Sequence, residues 1–149
     1  MQKRVAAGAI IRNKKGEILI VKPTYKEGWL IPGGMAEGDE MPTETCTREV
    51  KEEIGITIKP GKLVAIDFVQ NKSKAILFIF NGGILTDGQI AKITLPPKEL
   101  SEYRFVSESE AYKLLRPKGT KRMPKVMNHF RTQETLYLED SGASYLDDK

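Results

Sequence analysis

Three carboxylates, Glu49, Glu52 and Glu53, stand at i, i+3 and i+4 in the run Arg48-Glu49-Val50-Lys51-Glu52-Glu53. On a helix that spacing brings all three to neighbouring positions on one face. Anions crowded in this way repel one another unless a cation or a polar partner compensates. Oxygen donors of this kind suit a hard divalent ion such as Mg²⁺ or Mn²⁺ rather than zinc. The competing reading is an ordinary solvated helix face, which is what most charge runs are. Taken alone, the three glutamates favour that plainer reading, and only their surroundings shift the balance.

The surroundings describe a helix that must dock. Cys46, Val50 and Ile54 form an apolar stripe at i, i+4 and i+8 beside the carboxylates, so the helix is held at the edge of a core. Pro42 fits a first helical turn, Glu44 adds negative charge near the N-terminus, and Gly55 stands where a C-terminal glycine ends a helix. Upstream, Pro32-Gly33-Gly34 forms a loop whose backbone carbonyls can approach a cation closely, since glycine has no Cβ.

The segment from Gly34 to Ile56 resembles the signature of the Nudix hydrolase family, G-x5-E-x7-R-E-U-x-E-E-x-G-U with U aliphatic. Gly34, Glu40, Arg48, Glu49, Val50, Glu52, Glu53, Gly55 and Ile56 occupy its fixed positions. So many fixed positions rarely coincide by chance. Trp29-Leu30-Ile31-Pro32-Gly33-Gly34 is similar to the usual approach to that box. The likeness is specific over residues 29–56 and extends over 5–115 as an order of elements.

What the resemblance implies is an α/β/α sandwich with a mixed sheet, and metal-dependent attack of water on a diphosphate linkage in a nucleoside diphosphate derivative. Glu49, Glu52 and Glu53 would hold Mg²⁺, or Mn²⁺, with the Gly33 carbonyl as a further ligand. Glu49 or Glu53 would instead serve as the base, a choice left open here. Arg48 would orient the carboxylates through its guanidinium fork, and Glu40 would assist through the metal or through Arg48. A bound Mg²⁺ neutralises phosphate oxygens and lowers the pKa of its water. A nucleoside triphosphate is the leading substrate, because the Val69-to-Ser73 neighbourhood lacks the proline and tyrosine that mark ADP-ribose and dinucleoside polyphosphate hydrolases. An RNA 5′-end pyrophosphohydrolase and a non-catalytic nucleotide-sensing domain are the alternatives. Family members are often homodimers.

Length and charge frame these readings. A chain of 149 residues, 40% hydrophobic, is long enough for one domain with a real core, expected over 1–139 with a loose polar tail at 140–149. No apolar run approaches the roughly 20 residues that span a bilayer. The basic, then apolar, N-terminus reads as a strand rather than a leader, and one cysteine leaves no disulfide framework. A cytoplasmic location is expected. Cys46 reads as a small core residue. Net charge is +4, yet the box carries seven acids against two bases, so the remainder is +9. An acidic niche in a basic protein suits an anionic substrate that arrives with a cation. The densest basic run, Lys113 to Arg131, reads first as a solvated helix and loop, with phosphate or RNA binding as the functional alternative.

Further candidates are weaker. Lys22 is placed to reach phosphates beyond the metal, and Tyr25 and Trp29 to stack on a base, although Trp29 has core-like neighbours. Glu99 and Glu102 lie in the segment before the last strand, where some relatives place an extra acidic residue. His129, beside Phe130, reads as structural. Strands are expected at 5–11, 17–21, 56–58 and 103–106, with a hairpin of 63–69 and 75–80 that ends at Asn81-Gly82-Gly83. Ser107 and Glu110 have capping-box spacing before a second helix, and Pro124 is read as the start of a third.

Overall fold

The apolar strands and the docking helix need a shared surface, and a mixed sheet provides it. The structure, a computed structural model, describes residues 3–70, 74–116 and 122–142. Its strands are β1 (Arg4–Arg12), β2 (Ile18–Pro23), β3 (Gly33–Met35), β4 (Leu63–Phe68), β5 (Ala75–Ile84), β6 (Leu100–Val106) and β7 (Leu136–Glu139). They run β6-β2-β1-β5-β4-β7, with β3 also paired to β1. Pairing is parallel for β1/β5 and β4/β7 and antiparallel elsewhere. The helices are α1 (Pro42–Ile54), α2 (Asp87–Ala91), α3 (Glu108–Leu114) and α4 (Arg122–Thr132).

Alternation along the central strands assigns the two faces. Ala7, Ala9 and Ile11 of β1 join Cys46, Val50 and Ile54 of α1 in one core, whereas Ile10, Ile18 and Ile20 meet α3 and α4 in the other. This period-2 switch covers both faces of the sheet with helices and makes the expected α/β/α sandwich. Two strands and two helices match their expected places closely: β1, β2, α1 and α3. Helix α1 begins with Pro42 in its first turn and ends on Gly55 in the left-handed conformation (φ 75°). Ser107 caps α3 by accepting from the Glu110 N–H.

Several expectations are corrected. Asn81-Gly82-Gly83 does not end β5, which runs on to Ile84. The register against β1 shifts there, Gly83 takes φ 85°, and a Cβ on Gly82 would lie 2.5 Å from Ile11 Cγ1. The glycines thus permit a bulge and a close strand approach rather than a break. Ile56 and Ile58 are buried beneath α1 without pairing into a strand. Helix α4 starts at Arg122, with Pro124 inside its first turn. Asn71, Lys72 and Ser73, expected at the hairpin turn, lie outside the described residues.

The segment expected to be loose begins with a packed turn. Ser141 and Gly142 are buried, and Asp67 of β4, with no exposed surface, accepts from the Ser141 N–H at 3.0 Å. Arg122 Nε donates to the other Asp67 oxygen at 2.8 Å, and Arg122 Nη2 donates to Ser141 Oγ at 2.7 Å. A buried carboxylate thereby joins β4, α4 and the end of β7. Residues 143–149, and the rest of the expected tail with them, lie outside the described residues.

Removing one partner of such a pair leaves a buried charge without its counter-ion. Arg122→Ala is expected to lose about 3–5 kcal/mol of stability, measured by urea unfolding. A loss under about 1 kcal/mol, the range of surface pairs, would show that the pair contributes little.

Candidate active site at the β3–α1 junction

The site is built where β3 passes the middle of α1. Strand β3 pairs with β1 through Ala7↔Gly34 and Gly8↔Gly33. The close fit demands glycine twice. A Cβ on Gly33 would sit 2.3 Å from the Ala7 carbonyl oxygen, and one on Gly34 would sit 2.2 Å from Glu49 Oε1. The missing Cβ atoms let Glu49 lie directly against the loop backbone. Gly33 N–H, in turn, donates to Glu53 Oε1 at 3.1 Å. The loop carries the expected ligand residue Gly33 to the two inner carboxylates of the helix.

Arg48 organises the acidic face. Its Nε and Nη2 take Glu40 in a two-point contact, Nε–Oε2 at 2.6 Å and Nη2–Oε1 at 3.0 Å. Nη1 reaches Glu49 Oε2 at 2.8 Å and both Glu52 oxygens at 3.0 and 3.1 Å. Nη2 also donates to the Met35 carbonyl at 2.9 Å, tying helix and loop together. A planar fork with five donors can serve three carboxylates and a carbonyl, which an ammonium cannot do with the same geometry. The Arg48 hydrogen bonds hold the Glu40 carboxyl well below the usual range, at about 2. Of the two roles foreseen for Glu40, the structure shows the contact through Arg48.

Glu49 and Glu53 behave differently because they are turned inward. Burial pushes the Glu53 carboxyl up to about 8; the Gly33 N–H opposes this, and the negative charge of Glu49 adds to it. Glu49 is raised as well, first by burial, against the opposing pull of Arg48. Two half-buried carboxylates beside each other, with oxygen-rich backbone at hand, form a donor set suited to a hard divalent cation. Among the described residues, no three acidic, histidine or cysteine side chains converge on one point as they stand. Glu52 and the outer oxygen of Glu49 are turned to Arg48 instead.

The weaker candidates separate. Tyr25 is largely exposed (71%), and its hydroxyl is raised by partial desolvation and by the charges of Glu53, Glu99 and Glu49, so it stands at the rim of the acidic site. Glu99 is near enough for its charge to raise Glu53 as well. Glu102 is the correction. It lies within β6 opposite Lys22, and its carboxylate accepts from Arg104 Nε at 3.1 Å. Strand pairing from Pro23↔Leu100 onward takes Glu102 out of the loop and leaves Glu99 before the strand. Lys22 Nζ is 6.0 Å from the centroid of the Trp29 ring, on the opposite sheet face from α1. Trp29 is buried in that core, and its packing role is confirmed. Cys46 is fully buried on the α1 stripe, with its thiol pushed up to about 12, chiefly by burial.

Within the basic run, two of the described cations are already paired. Arg122 is spent on Asp67 and Arg131 on Glu108, while Lys118 and Lys121 lie outside the described residues. Sequence reading also missed α2, whose Thr86 and Gln89 exchange reciprocal cap hydrogen bonds. Their spacing was a legible capping-box signal.

A family profile for the NUDIX domain matches residues 2–130, and the chain belongs to the Nudix hydrolase family. It is similar to the MutT protein of Methanosarcina mazei, with a TM-score of 0.72 and 28% identity, covering 90% of this chain and 99% of that one. An ADP-ribose pyrophosphatase from Streptococcus suis shares the fold at TM-score 0.69 and 19% identity, covering 91% and 99% of the two chains. Mouse diphosphoinositol polyphosphate phosphohydrolase 3-alpha is 35% identical over 74 residues, 49% of this chain and 44% of that protein. The match thus spans less than half the length of that curated relative. The family comprises hydrolases that use divalent metals, and relatives are named for action on diphosphate linkages.

Two outcomes test the electrostatics. In EDTA, Arg48→Ala is expected to lower Tm by on the order of 5 °C, with Mg²⁺ restoring part of the loss and Arg48→Lys falling between. An unchanged Tm in EDTA would make the fork idle. The second concerns Glu53, whose folded pKa of about 8 exceeds its ordinary 4.5. Between those values the folded state holds a proton that the unfolded state has released, so stability falls as pH rises through the window. Urea titrations in EDTA at several pH values check this, and Glu53→Gln is expected to flatten the slope. An equal slope in the variant would assign the pH dependence elsewhere.

Proposed function

We propose that this protein hydrolyses the diphosphate linkage of a nucleoside triphosphate in a Mg²⁺-dependent reaction. The observation that supports this reading is the seating of Glu49 and Glu53 against Gly33-Gly34, where burial raises both carboxyls beside close backbone. Glu49, Glu52, Glu53 and the Gly33 carbonyl would hold the ion, with Glu52 and Glu49 released in part from Arg48. A bound Mg²⁺ supplies charge neutralisation at the phosphates and a more acidic water. Either inner glutamate would accept a proton from that water, burial having made both carboxylates more basic than usual. Arg48 keeps the carboxylates from turning away, and Glu40 keeps Arg48 in place.

A slot beside the same loop is of a size to take one flat ring of a substrate. It opens on the other side of Gly33-Gly34, encloses about 170 Å³, and is lined by Ala6, Ile31, Leu77 and Met123 with Arg116 and Arg122. An apolar slot with the Arg116 guanidinium beside it would accept a flat, partly polar ring, while Arg122 on its lining is neutralised by Asp67. Tyr25 and Glu99 stand at the acidic rim, where they would meet the leaving portion of the substrate.

The test is release of phosphate and pyrophosphate from nucleoside triphosphates, ADP-ribose, dinucleoside polyphosphates, diphosphoinositol polyphosphates and 5′-triphosphate RNA, with and without Mg²⁺. Turnover of nucleoside triphosphates is expected, with Glu53→Gln about 10²-fold slower or worse while remaining folded. Preference for another member of the panel would replace the substrate class. Nucleotide binding without any turnover would overturn the enzymatic reading for these compounds.

A further inference from the structure

A second cavity lies on the opposite sheet face from α1, at the far end of β1. It encloses about 440 Å³ between the ends of β1, β4 and β5 and the C-terminal turn of α4, lined by Arg12, Lys62, Asn81, His129, Phe130 and Glu134 among others. That volume is in the range of small-ligand pockets. None of these residues belongs to the acidic site or to the slot beside Gly33-Gly34.

Its chemistry is cationic and unusually unsatisfied. Arg12 lies at the end of β1 on the α4 side, its guanidinium stacked 4.7 Å from the centroid of the Phe130 ring. Stacking fixes the plane of the fork while leaving its in-plane N–H groups directed outward. Arg12 Nε is buried, and no hydrogen-bond acceptor meets it. Among the described residues no carboxylate pairs with Arg12 or Lys62, although Glu134 lies on the same lining. The Nε itself is closed off, and what Arg12 offers the cavity it lines is a positive charge that no carboxylate neutralises among the described residues. His129 faces the same space, its Nδ1 3.3 Å from the Lys125 carbonyl, which leaves Nε2 for a ligand. The neighbouring Arg131 is already engaged by Glu108, so the free positive charge is that of Arg12 and Lys62.

We infer that this cavity is a binding site for a small phosphate-bearing ligand, held by the Arg12 fork with Lys62 and His129, and separate from the catalytic carboxylates. A guanidinium takes two phosphate oxygens at once, and an ammonium adds a mobile second charge. The volume beyond the phosphate leaves room for an organic group or a second phosphate. Glu134 is the opposing charge at the rim and sets how strongly the site holds a dianion.

The test uses inorganic phosphate and pyrophosphate as probes, in EDTA and on the full chain carrying Glu53→Gln, so that neither metal nor turnover contributes. Titrations followed by ¹H–¹⁵N spectra are expected to shift resonances of Arg12, Val64, Asn81 and Phe130. Arg12→Gln and Lys62→Gln are each expected to weaken binding at least tenfold, and Glu134→Gln to tighten it. Lys62 and Glu134 are exposed, so those two variants remain informative if Arg12→Gln does not fold. No shifts at tens of millimolar probe, shifts confined to α1 and the glycine loop, or affinities unmoved by Lys62→Gln and Glu134→Gln would each overturn the site.

Discussion

Mutual repulsion among the carboxylates of α1 is the constraint around which this molecule is arranged. A helix cannot carry Glu49, Glu52 and Glu53 on one face, the first and last half-buried, without something positive or hydrogen-bonding to hold them. Arg48 meets that need for Glu49 and Glu52, and Gly33 N–H meets it for Glu53. Gly33 lies in β3, and Arg48 reaches the same strand through its bond to the Met35 carbonyl. The electrostatic requirement of the helix is therefore also what fixes the loop, and through Gly33 and Gly34 it fixes β3 on β1. Glu40 completes the set by holding the guanidinium from its far side, which keeps the fork from swinging to solvent.

The same sheet serves two unlike surfaces because its central strands alternate. The α1 face presents small residues, Ala7 and Ala9, so the helix and its carboxylates come close to the sheet. The α4 face leaves space in two places along β1, the slot beside Gly8 at its middle and the cavity near Arg12 at its end. Charge follows this division. Acid lies on the α1 edge, and unpaired base collects at the opposite end of the other face. The buried Asp67–Arg122 pair joins the end of β7 to α4 beside the slot, so the packing of the chain's last described turn and the shape of that slot share one contact.

Much of the site was legible because it is local. Glu49, Glu52, Glu53 and Arg48 lie within a turn and a half of one helix, where spacing alone sets geometry, and Pro42 and Gly55 mark that helix at both ends. Residues whose role depends on distant pairing were harder to place. Glu99 and Glu102 are three residues apart, and only the register of β6 on β2 decides which one faces the acidic rim. The glycines after Phe80 signal a break by local rules, whereas the parallel partner strand turns them into a bulge. Strand β7 and the turn at Asp140–Gly142 gave little local signal, since both are held by β4 and by a carboxylate seventy-four residues away from Ser141.

The sequence by itself determined the helix, its acidic face, the glycine loop and the kind of ion they suit, because i, i+3 and i+4 spacing and capping act within a few residues. Its strand and helix patterns announced only a domain that mixes helices and strands, and the layered sandwich came from the resemblance of its acidic box to the Nudix signature. Tertiary structure alone decided which carboxylates turn inward and which turn to Arg48, that Glu53 is buried against Gly33, and that Arg12 stacks on Phe130 without an acceptor. Those outcomes depend on burial and on contacts between segments far apart in the chain. Desolvation and long-range charge have no signature in local spacing.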